Sequence, residues 1–173
     1  MSRDHSTAAT AMDMPPLGIG TWQNTDPAAC TNAVQTALEG GYRHVDTAQF
    51  YGNEESVGRG IERANVDREE VFLATKVWID SLAPEDVKRT TQESLDRLGV
   101  EYLDLLYVHW PANTYDPATT LPAFEELKEA GLIRHIGVSN FEPSDLETAN
   151  EVLDNAPFAN QIEMHPLLPQ EEL

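Results

Sequence analysis

Four polar side chains lie at or just beyond the ends of short apolar segments, where a purely structural core would carry Val, Ile or Leu. They are Asp46, Tyr51, Lys76 and His109. Alternate residues of a strand share a face, so Lys76 and His109 are both expected to point inward at one rim. A buried lysine needs a negative partner, which Asp46 can supply. This grouping predicts a site for proton transfer.

Tyr51 follows Asp46 closely enough in the chain to reach the same site. A free phenol has a pKa of about 10, so proton donation at neutral pH requires a nearby cation. Lys76 is the cation that we expect to lower the Tyr51 pKa. Taken singly, the residues have plainer interpretations, such as a surface lysine, a core histidine or a turn aspartate. Their combination favours the catalytic interpretation.

The apolar segments alternate with segments of helical pattern. They are LGIGTW (17–22), HVDTA (44–48), VFLATKV (71–77), DLLYVHW (104–110), HIGVSN (135–140) and FANQIEMHP (158–166). One helix is expected after the cap-like Asp26-Pro27 pair, and another between Pro84 and Gly99. This order predicts a parallel sheet covered by helices.

The spacing of the predicted strands indicates which parallel fold they form. Their ends fall near residues 22, 46, 76, 109, 139 and 164. An eightfold β/α barrel of about 250 residues has about 31 residues per unit. The spacing therefore favours an α/β fold of the TIM-barrel type, although flavodoxin-like sheets are spaced similarly. A Rossmann site is not expected, because GIGTWQ (18–23) has Gln23 where the dinucleotide fingerprint needs a third glycine.

Five segments, in order, resemble the aldo-keto reductase family. They are GYRHVDTAQFYGNEESVGRGI (41–61), ATKVW (74–78), LDLLYVHWP (103–111), IGVSNF (136–141) and NQIEMHP (160–166). The resemblance implies a TIM-type (β/α)8 barrel that reduces an aldehyde or ketone, such as a sugar-derived carbonyl or a diketo acid. It implies Tyr51 as general acid, with its pKa lowered by Lys76. Asp46 would hold Lys76, and His109 would orient the carbonyl.

The same resemblance implies contacts to an NADPH cofactor, with NADH left open. The implied cofactor contacts are Gly20, Thr21, Trp22, Asp46, Ser139, Asn140 and Gln161. The implied substrate contacts are Trp22, Tyr51, Trp78, His109 and Trp110. Two alternatives stay open: Ser139 and Asn140 could cap the helix that follows them, and the tryptophans could be packing residues.

The charge balance of the chain indicates its partners and its salt environment. The chain has 30 acidic and 11 basic residues, a formal net charge of −19, with the acids spread along helical segments. Nucleic acids and anionic membranes are poor partners for such a surface. At about 1 M salt the screening length falls to roughly 3 Å, which relieves self-repulsion. We therefore expect a halophilic source, an archaeon.

Other features of the sequence narrow the class of protein. Cys30 is the only cysteine, so no intrachain disulfide is expected. The sequence shows no apolar stretch of about 18 residues and no signal-peptide core, which predicts a cytoplasmic protein. No group of His, Cys or carboxylates has convincing metal-ligand spacing, so no metal is expected.

The expected domain organisation is a flexible tail, residues 1–16, followed by one barrel domain, residues 17–173, with only about the first six β/α units. A closed barrel needs about 60 residues more. The chain is therefore expected to be C-terminally truncated, or to be completed by a separate C-terminal fragment or a second copy. An alternative to the enzyme is an inactive remnant or a non-catalytic regulatory module on the same fold.

The acidic surface generates a prediction about salt. Because screening relieves repulsion among the acids, the free energy of unfolding should be higher in molar KCl than in dilute buffer. Denaturation by urea, which is uncharged, measures this quantity in both solutions. Equal stability in the two solutions would show that the acidic surface is not an adaptation to salt.

Overall fold

A computed structural model describes residues 14–171 and residue 173. A tail was predicted for residues 1–16, and residues 1–13 of it lie outside the described residues. The strands are β1 Ile19–Gly20, β2 His44–Asp46, β3 Phe72–Val77, β4 Leu103–Val108, β5 Ile133–Ser139 and β6 Asn160–Gln161. The helices are α1 Pro27–Glu39, α2 Glu54–Arg63, α3 Pro84–Leu98, α4 Pro117–Glu129 and α5 Pro143–Val152.

The six strands lie side by side in chain order, and every neighbouring pair is parallel. The Gln161 side chain on β6 donates a hydrogen bond to the Asp46 carboxylate on β2 at 2.9 Å, although β3, β4 and β5 lie between these strands in the sheet. This contact shows that the sheet is strongly curled. Such curling places the carboxyl ends of the strands around one rim. The prediction of an α/β TIM-type barrel with about six units is confirmed.

The central strands match the predicted segments, and the edge strands are shorter. Every residue of β3 and β4 is buried, as expected for strands covered on both faces. β1 and β6 contain two residues each, although the predicted segments were 17–22 and 158–166. Each of these two strands has a single neighbouring strand, so only the short stretch in register with that neighbour is hydrogen-bonded.

The two helices predicted from the sequence signals are α1 and α3. The Asp26 carboxylate accepts from the backbone N–H of Ala29 at 2.7 Å, and Pro27 opens α1. Pro84 opens α3, and Gly99 ends it with a φ of 68°. None of the helices within residues 14–171 is long and apolar enough to cross a bilayer.

The main core lies between the outer face of the sheet and the helices, and two glycines of α2 let the helices approach closely. A Cβ on Gly58 would lie 2.3 Å from the carbonyl oxygen of Leu98, at the end of α3. A Cβ on Gly60 would lie 2.7 Å from the Cβ of Val34 on α1. The helical layer therefore has no room for side chains at these two positions.

A buried carboxylate joins three neighbouring parts of the sheet. Asp104, on β4, accepts from the Arg68 guanidinium and from the Leu73 N–H through Oδ2, at 2.9 and 3.0 Å. Its Oδ1 accepts from Arg134, on β5, at 2.9 Å. Both guanidinium groups also pack on the ring of Tyr102, at 4.3 and 4.0 Å from its centroid. We call this group the Asp104 clamp.

The close approach of α2 and α3 can be tested by adding a methyl group. Gly58→Ala should lower the free energy of unfolding by about 1–3 kcal/mol, because overpacking forces the helices apart. Arg59→Ala, at the exposed neighbouring position, is the control and should change stability much less. Urea denaturation measures both variants. A Gly58→Ala variant as stable as the parent chain would contradict the packing described here.

Candidate active site

Lys76 is the centre of the site. It lies on β3, its side chain is fully buried, and its Nζ donates to Asp46 Oδ1 at 2.5 Å and to the Thr47 carbonyl at 2.8 Å. The Tyr51 hydroxyl lies 3.4 Å from the same nitrogen. A buried ammonium is costly unless it is paired and hydrogen-bonded. These oxygens meet that requirement and place the phenol next to a cation.

The turn that carries Tyr51 is anchored from outside the site. The Gln49 side chain donates to the Thr90 carbonyl at 3.1 Å and to Ser94 Oγ at 3.2 Å, both on α3. Its Oε1 accepts from the backbone N–H of Trp78 at 3.1 Å. One glutamine therefore connects the turn to α3 and to the end of β3, which fixes the position of the Tyr51 hydroxyl.

His109 lies just beyond the end of β4 and is mostly buried. Its ring meets the rings of Tyr51 and Trp78 edge to face, with centroids 5.8 and 5.1 Å apart. Burial, reinforced by the charge of Lys76, lowers the His109 pKa to about 4. The imidazole is therefore neutral at neutral pH and can donate one hydrogen bond to a carbonyl oxygen.

The Tyr51 pKa moves in the direction opposite to the prediction. Burial, followed by the charge of Asp46, raises it to about 12. We expected Lys76 to lower it, but the Asp46 carboxylate lies against the ammonium and offsets its charge. Burial also lowers the Lys76 pKa, against the opposing effect of Asp46. Tyr51 thus keeps its proton at neutral pH, as a proton donor must before it reacts.

Three residues predicted to hold a nicotinamide carboxamide meet beside Asp46. Ser139 Oγ donates to the Gln161 carbonyl at 2.9 Å, and Gln161 Nε2 donates to Asp46 Oδ2 at 2.9 Å. Asn140, which has a φ of 62°, donates through Nδ2 to the His109 carbonyl at 3.1 Å and to Ser139 Oγ at 3.0 Å. The structure therefore brings all three together at the rim.

The capping alternative for Ser139 and Asn140 is wrong. The residue before α5 is Glu142, which forms a reciprocal capping box with Asp145. Ser139 and Asn140 lie farther upstream and bond to Gln161 and His109 instead. Their side chains thus belong to the rim of the sheet rather than to the end of the helix.

The loop after β1 contributes to the site in two ways. Thr21 is buried, and its hydroxyl lies 3.2 Å from the Asp46 carbonyl and 2.9 Å from Thr47 Oγ1, so it braces the loop after β2. Trp22 is exposed and faces the cleft. Gly20, at the end of β1, borders a shallow groove near Asp46. Only Trp22 of this group lies in the cleft described next.

Side chains at the carboxyl ends of the strands surround an open cleft of about 630 Å³. Its lining is Trp22, Asp46, Phe50, Tyr51, Trp78, His109, Trp110, Ser139, Asn140, Gln161, Ile162 and Glu163. All three tryptophans of the chain are among these residues. A larger groove of about 880 Å³ lies on the outer surface along α2 and the end of α3, but it contains none of the four predicted catalytic residues.

Several residues of the site were missed by the sequence reasoning. Phe50 stacks on Trp78 with centroids 3.9 Å apart, Gln49 anchors the turn, and Glu163 lies at the rim. An aromatic residue in the polar loop next to Tyr51 was a usable signal for Phe50. In the described part of the chain, no three His, Cys, Asp or Glu side chains are grouped to hold a metal ion.

Comparison with known proteins identifies the class. The sequence profile of the Aldo/keto reductase family matches residues 16–173. The chain belongs to the aldo/keto reductase family. The predicted family is therefore confirmed. Members of this family are oxidoreductases that generally use NAD(P)H.

Three relatives define the extent of the similarity. An aldo-keto reductase of Mycobacterium sp. (strain KMS) is 48% identical, and the match covers 92% of this chain and 58% of the relative. Methylglyoxal reductase DkgA of Escherichia coli (strain K12) is 42% identical over the same shares. A crystal structure of an aldo/keto reductase from Brucella melitensis superposes with a TM-score of 0.85 at 41% identity, covering 92% of this chain and 62% of that one.

The comparisons also bear on length and source. This aldo/keto reductase chain spans about 58% of the length of the curated relatives named above. All three of these relatives are bacterial, so they give the expected halophilic archaeal source no support.

The His109 pKa generates a prediction about acid. Between the ordinary value of 6.5 and the folded value of about 4, the unfolded chain binds more protons at this residue, so lowering the pH favours unfolding. As the pH falls through this window, protonation of His109 in the unfolded chain should lower the free energy of unfolding by up to about 3 kcal/mol. The His109→Gln variant should therefore lose less stability than the parent chain between neutral pH and pH 4.

Urea denaturation at a series of pH values measures this difference. His165→Gln, which removes an exposed histidine, is the matched control and should follow the parent profile. Parallel profiles for His109→Gln and the parent chain would show that His109 is not the residue whose protonation opposes folding.

Proposed function

We propose that this site reduces an aldehyde or ketone to an alcohol, with NADPH as the hydride donor. The observation that carries the proposal is the group of Lys76, Asp46 and Tyr51 in hydrogen-bonding range at the edge of an open cleft. Neutral His109 lies on the same edge. Relatives whose names describe reductases support the reaction class.

The rim residues fit the nicotinamide end of the cofactor. In the described structure, the side chains of Asn140 and Gln161 are held through their amide nitrogens, so the side-chain oxygens Asn140 Oδ1 and Gln161 Oε1 can accept from a carboxamide. Ser139 adds a hydroxyl beside them. The bound nicotinamide would supply the hydride. NADPH is the usual donor in the family that this chain resembles, and NADH is the alternative to compare.

Tyr51 is the proposed general acid. As the carbonyl carbon receives the hydride, the Tyr51 Oη–H proton passes to the carbonyl oxygen and leaves a tyrosinate. Lys76, 3.4 Å from that oxygen, stabilises the tyrosinate until a proton from water restores the phenol. His109 donates a hydrogen bond to the carbonyl oxygen and orients it towards Tyr51. Asp46 keeps Lys76 charged and in place.

We also propose the setting in which the site works. β1 and β6 form the two edges of the sheet, and edge strands offer unpaired N–H and C=O groups to a further strand. A C-terminal segment or a second copy would pair there and complete the barrel. The acidic surface suits a cytoplasm rich in salt, which screens the repulsion among the acids.

The direct test is NADPH oxidation by the purified chain with an aromatic aldehyde in molar KCl. Tyr51→Phe should lower kcat by about 10²–10⁴-fold, because the proton donor is lost while the ring remains. Tyr42→Phe, an exposed tyrosine outside the cleft, is the matched control and should keep the parent rate. The same assay with NADH compares the two donors.

The outcomes separate the enzyme from its alternative. Turnover that depends on Tyr51 supports carbonyl reduction by this site. A folded, soluble chain without turnover contradicts the proposal for this chain alone and favours a non-catalytic module on the same fold. Turnover that survives Tyr51→Phe would assign the proton donor to another residue.

A further inference from the structure

Asn53, the residue before α2, is a buried amide that joins two loops of the rim. Its Oδ1 accepts from Thr47 Oγ1 at 3.1 Å, and its Nδ2 donates to the backbone carbonyls of Thr21 at 2.9 Å and Asn24 at 3.2 Å. Thr21 and Asn24 belong to the loop after β1, and Thr47 begins the loop after β2. One side chain therefore holds these two loops together.

Helix capping does not account for this asparagine. An asparagine before a helix ordinarily accepts a hydrogen bond from a backbone N–H of the first turn. Asn53 lies at that position but forms no side-chain cap with α2. Its amide is directed to the two loops instead, so the reason for a buried amide at this position lies there.

The contact with Thr47 leads directly to Lys76. The Thr47 carbonyl accepts from Lys76 Nζ at 2.8 Å, and the Thr47 hydroxyl lies between Asn53 Oδ1 and Thr21 Oγ1. Thr47 is fully buried. Its hydroxyl is thus anchored by Asn53, while its carbonyl supplies one of the oxygens that a buried ammonium requires. Without the anchor, that carbonyl is free to move away from the lysine.

The contacts with Thr21 and Asn24 fix the loop that carries Trp22. The two carbonyls lie on either side of Trp22 and Gln23, and Gln23 has a φ of 60°. Side chains other than glycine adopt this left-handed conformation only where their surroundings hold it. Asn53 provides that hold from beneath the loop.

We propose that Asn53 is a positioning residue of the candidate active site. It keeps the Thr47 carbonyl on the Lys76 ammonium and keeps the loop of Trp22 at the mouth of the cleft. Neither Asn53 nor Thr47 lines the cleft, so both act through other residues. The kinetic part of this inference rests on the proposed function, whereas the joining of the two loops does not.

The link is tested first at Thr47, in the NADPH assay with an aromatic aldehyde. Thr47→Val keeps the backbone carbonyl but removes the hydroxyl, and should lower kcat by about ten- to a hundredfold through misplacement of Lys76. KM for the aldehyde should change by less than about threefold, because Thr47 does not line the cleft. Thr47→Ser, which restores the hydroxyl, should keep kcat within about threefold of the parent value. Equal losses in both variants would overturn the role of the hydroxyl.

A second variant tests Asn53 itself. Asn53→Ser keeps a residue suited to a helix start but is too short to reach both loops, and should lower kcat about as much as Thr47→Val. Asn65→Ser, at an exposed position outside the site, is the matched control and should keep the parent rate. The double variant Asn53→Ser/Thr47→Val should lose little more than either single variant, because both break one link. Fully additive losses would overturn the link.

The pH dependence of kcat distinguishes positioning from partial unfolding. The hydrogen bond to the Thr47 carbonyl favours the charged form of Lys76, whose pKa burial already lowers. If the carbonyl withdraws in Thr47→Val, the Lys76 pKa falls further, and the loss of kcat at alkaline pH should begin about half a pH unit or more lower. The other titratable groups around Lys76 are unchanged in this variant: His44, Asp46, Tyr51, Tyr107 and His109. A lower kcat with an unmoved alkaline limb would overturn the path through Lys76.

Hydrogen–deuterium exchange gives a measurement that does not need turnover. The backbone N–H groups of Thr21, Asn24 and Thr47 are all hydrogen-bonded in the two loops. Asn53→Ser should accelerate their exchange by about tenfold or more, because the loops separate more often. The amides of β4 should exchange as in the parent chain and serve as the internal reference.

The two kinds of measurement separate this inference from the proposed function. Turnover that is unchanged in Asn53→Ser and Thr47→Val overturns the positioning role and leaves carbonyl reduction intact. A parent chain without turnover contradicts the proposed function for this chain alone. Faster loop exchange in Asn53→Ser then still supports the joining of the loops by Asn53, and unchanged exchange overturns it as well.

Discussion

The buried ammonium of Lys76 is the constraint on which the rest of the site depends. A lysine in the interior of a sheet is stable only when oxygens surround it, and here they come from Asp46, Thr47 and Tyr51. Satisfying the lysine therefore draws the proposed proton donor, Tyr51, and its electrostatic partner into one place. The geometry of the proposed site is a result of the same pairing that stabilises the buried lysine.

The supports of this group extend outwards to the helices. Glu54, buried at the start of α2, accepts from Thr75 Oγ1 at 2.7 Å and from the Arg97 guanidinium at 2.8 Å. Thr75 is the neighbour of Lys76, and Gln49 connects the opposite side of the site to α3. Residues far from the cleft thus support the side chains of the proposed site, as hydrogen-bonded neighbours of preorganised sites generally do.

The fold could be predicted from the sequence because its signals are local. The electrostatics of the site could not be predicted in this way. Helix caps such as Asp26 and Gly99 and the apolar runs of β3 and β4 each act within a few residues. The four polar residues could be singled out because they lie at or just beyond the ends of apolar runs. The Tyr51 pKa depends on how closely Asp46 covers Lys76, a distance that spacing does not give. Glu163 and Phe50 come to line the cleft only through the approach of elements distant in sequence.

The Asp104 clamp has a consequence for how the chain opens and closes. It binds the turn before β3, the first residues of β3, and β5 into one unit around β4, using residues within a continuous middle part of the sequence. Among the described residues, the two-residue edge strands β1 and β6 carry no such ion pair. The amide protons of β3–β5 should therefore exchange with deuterium more slowly than those of β1 and β6.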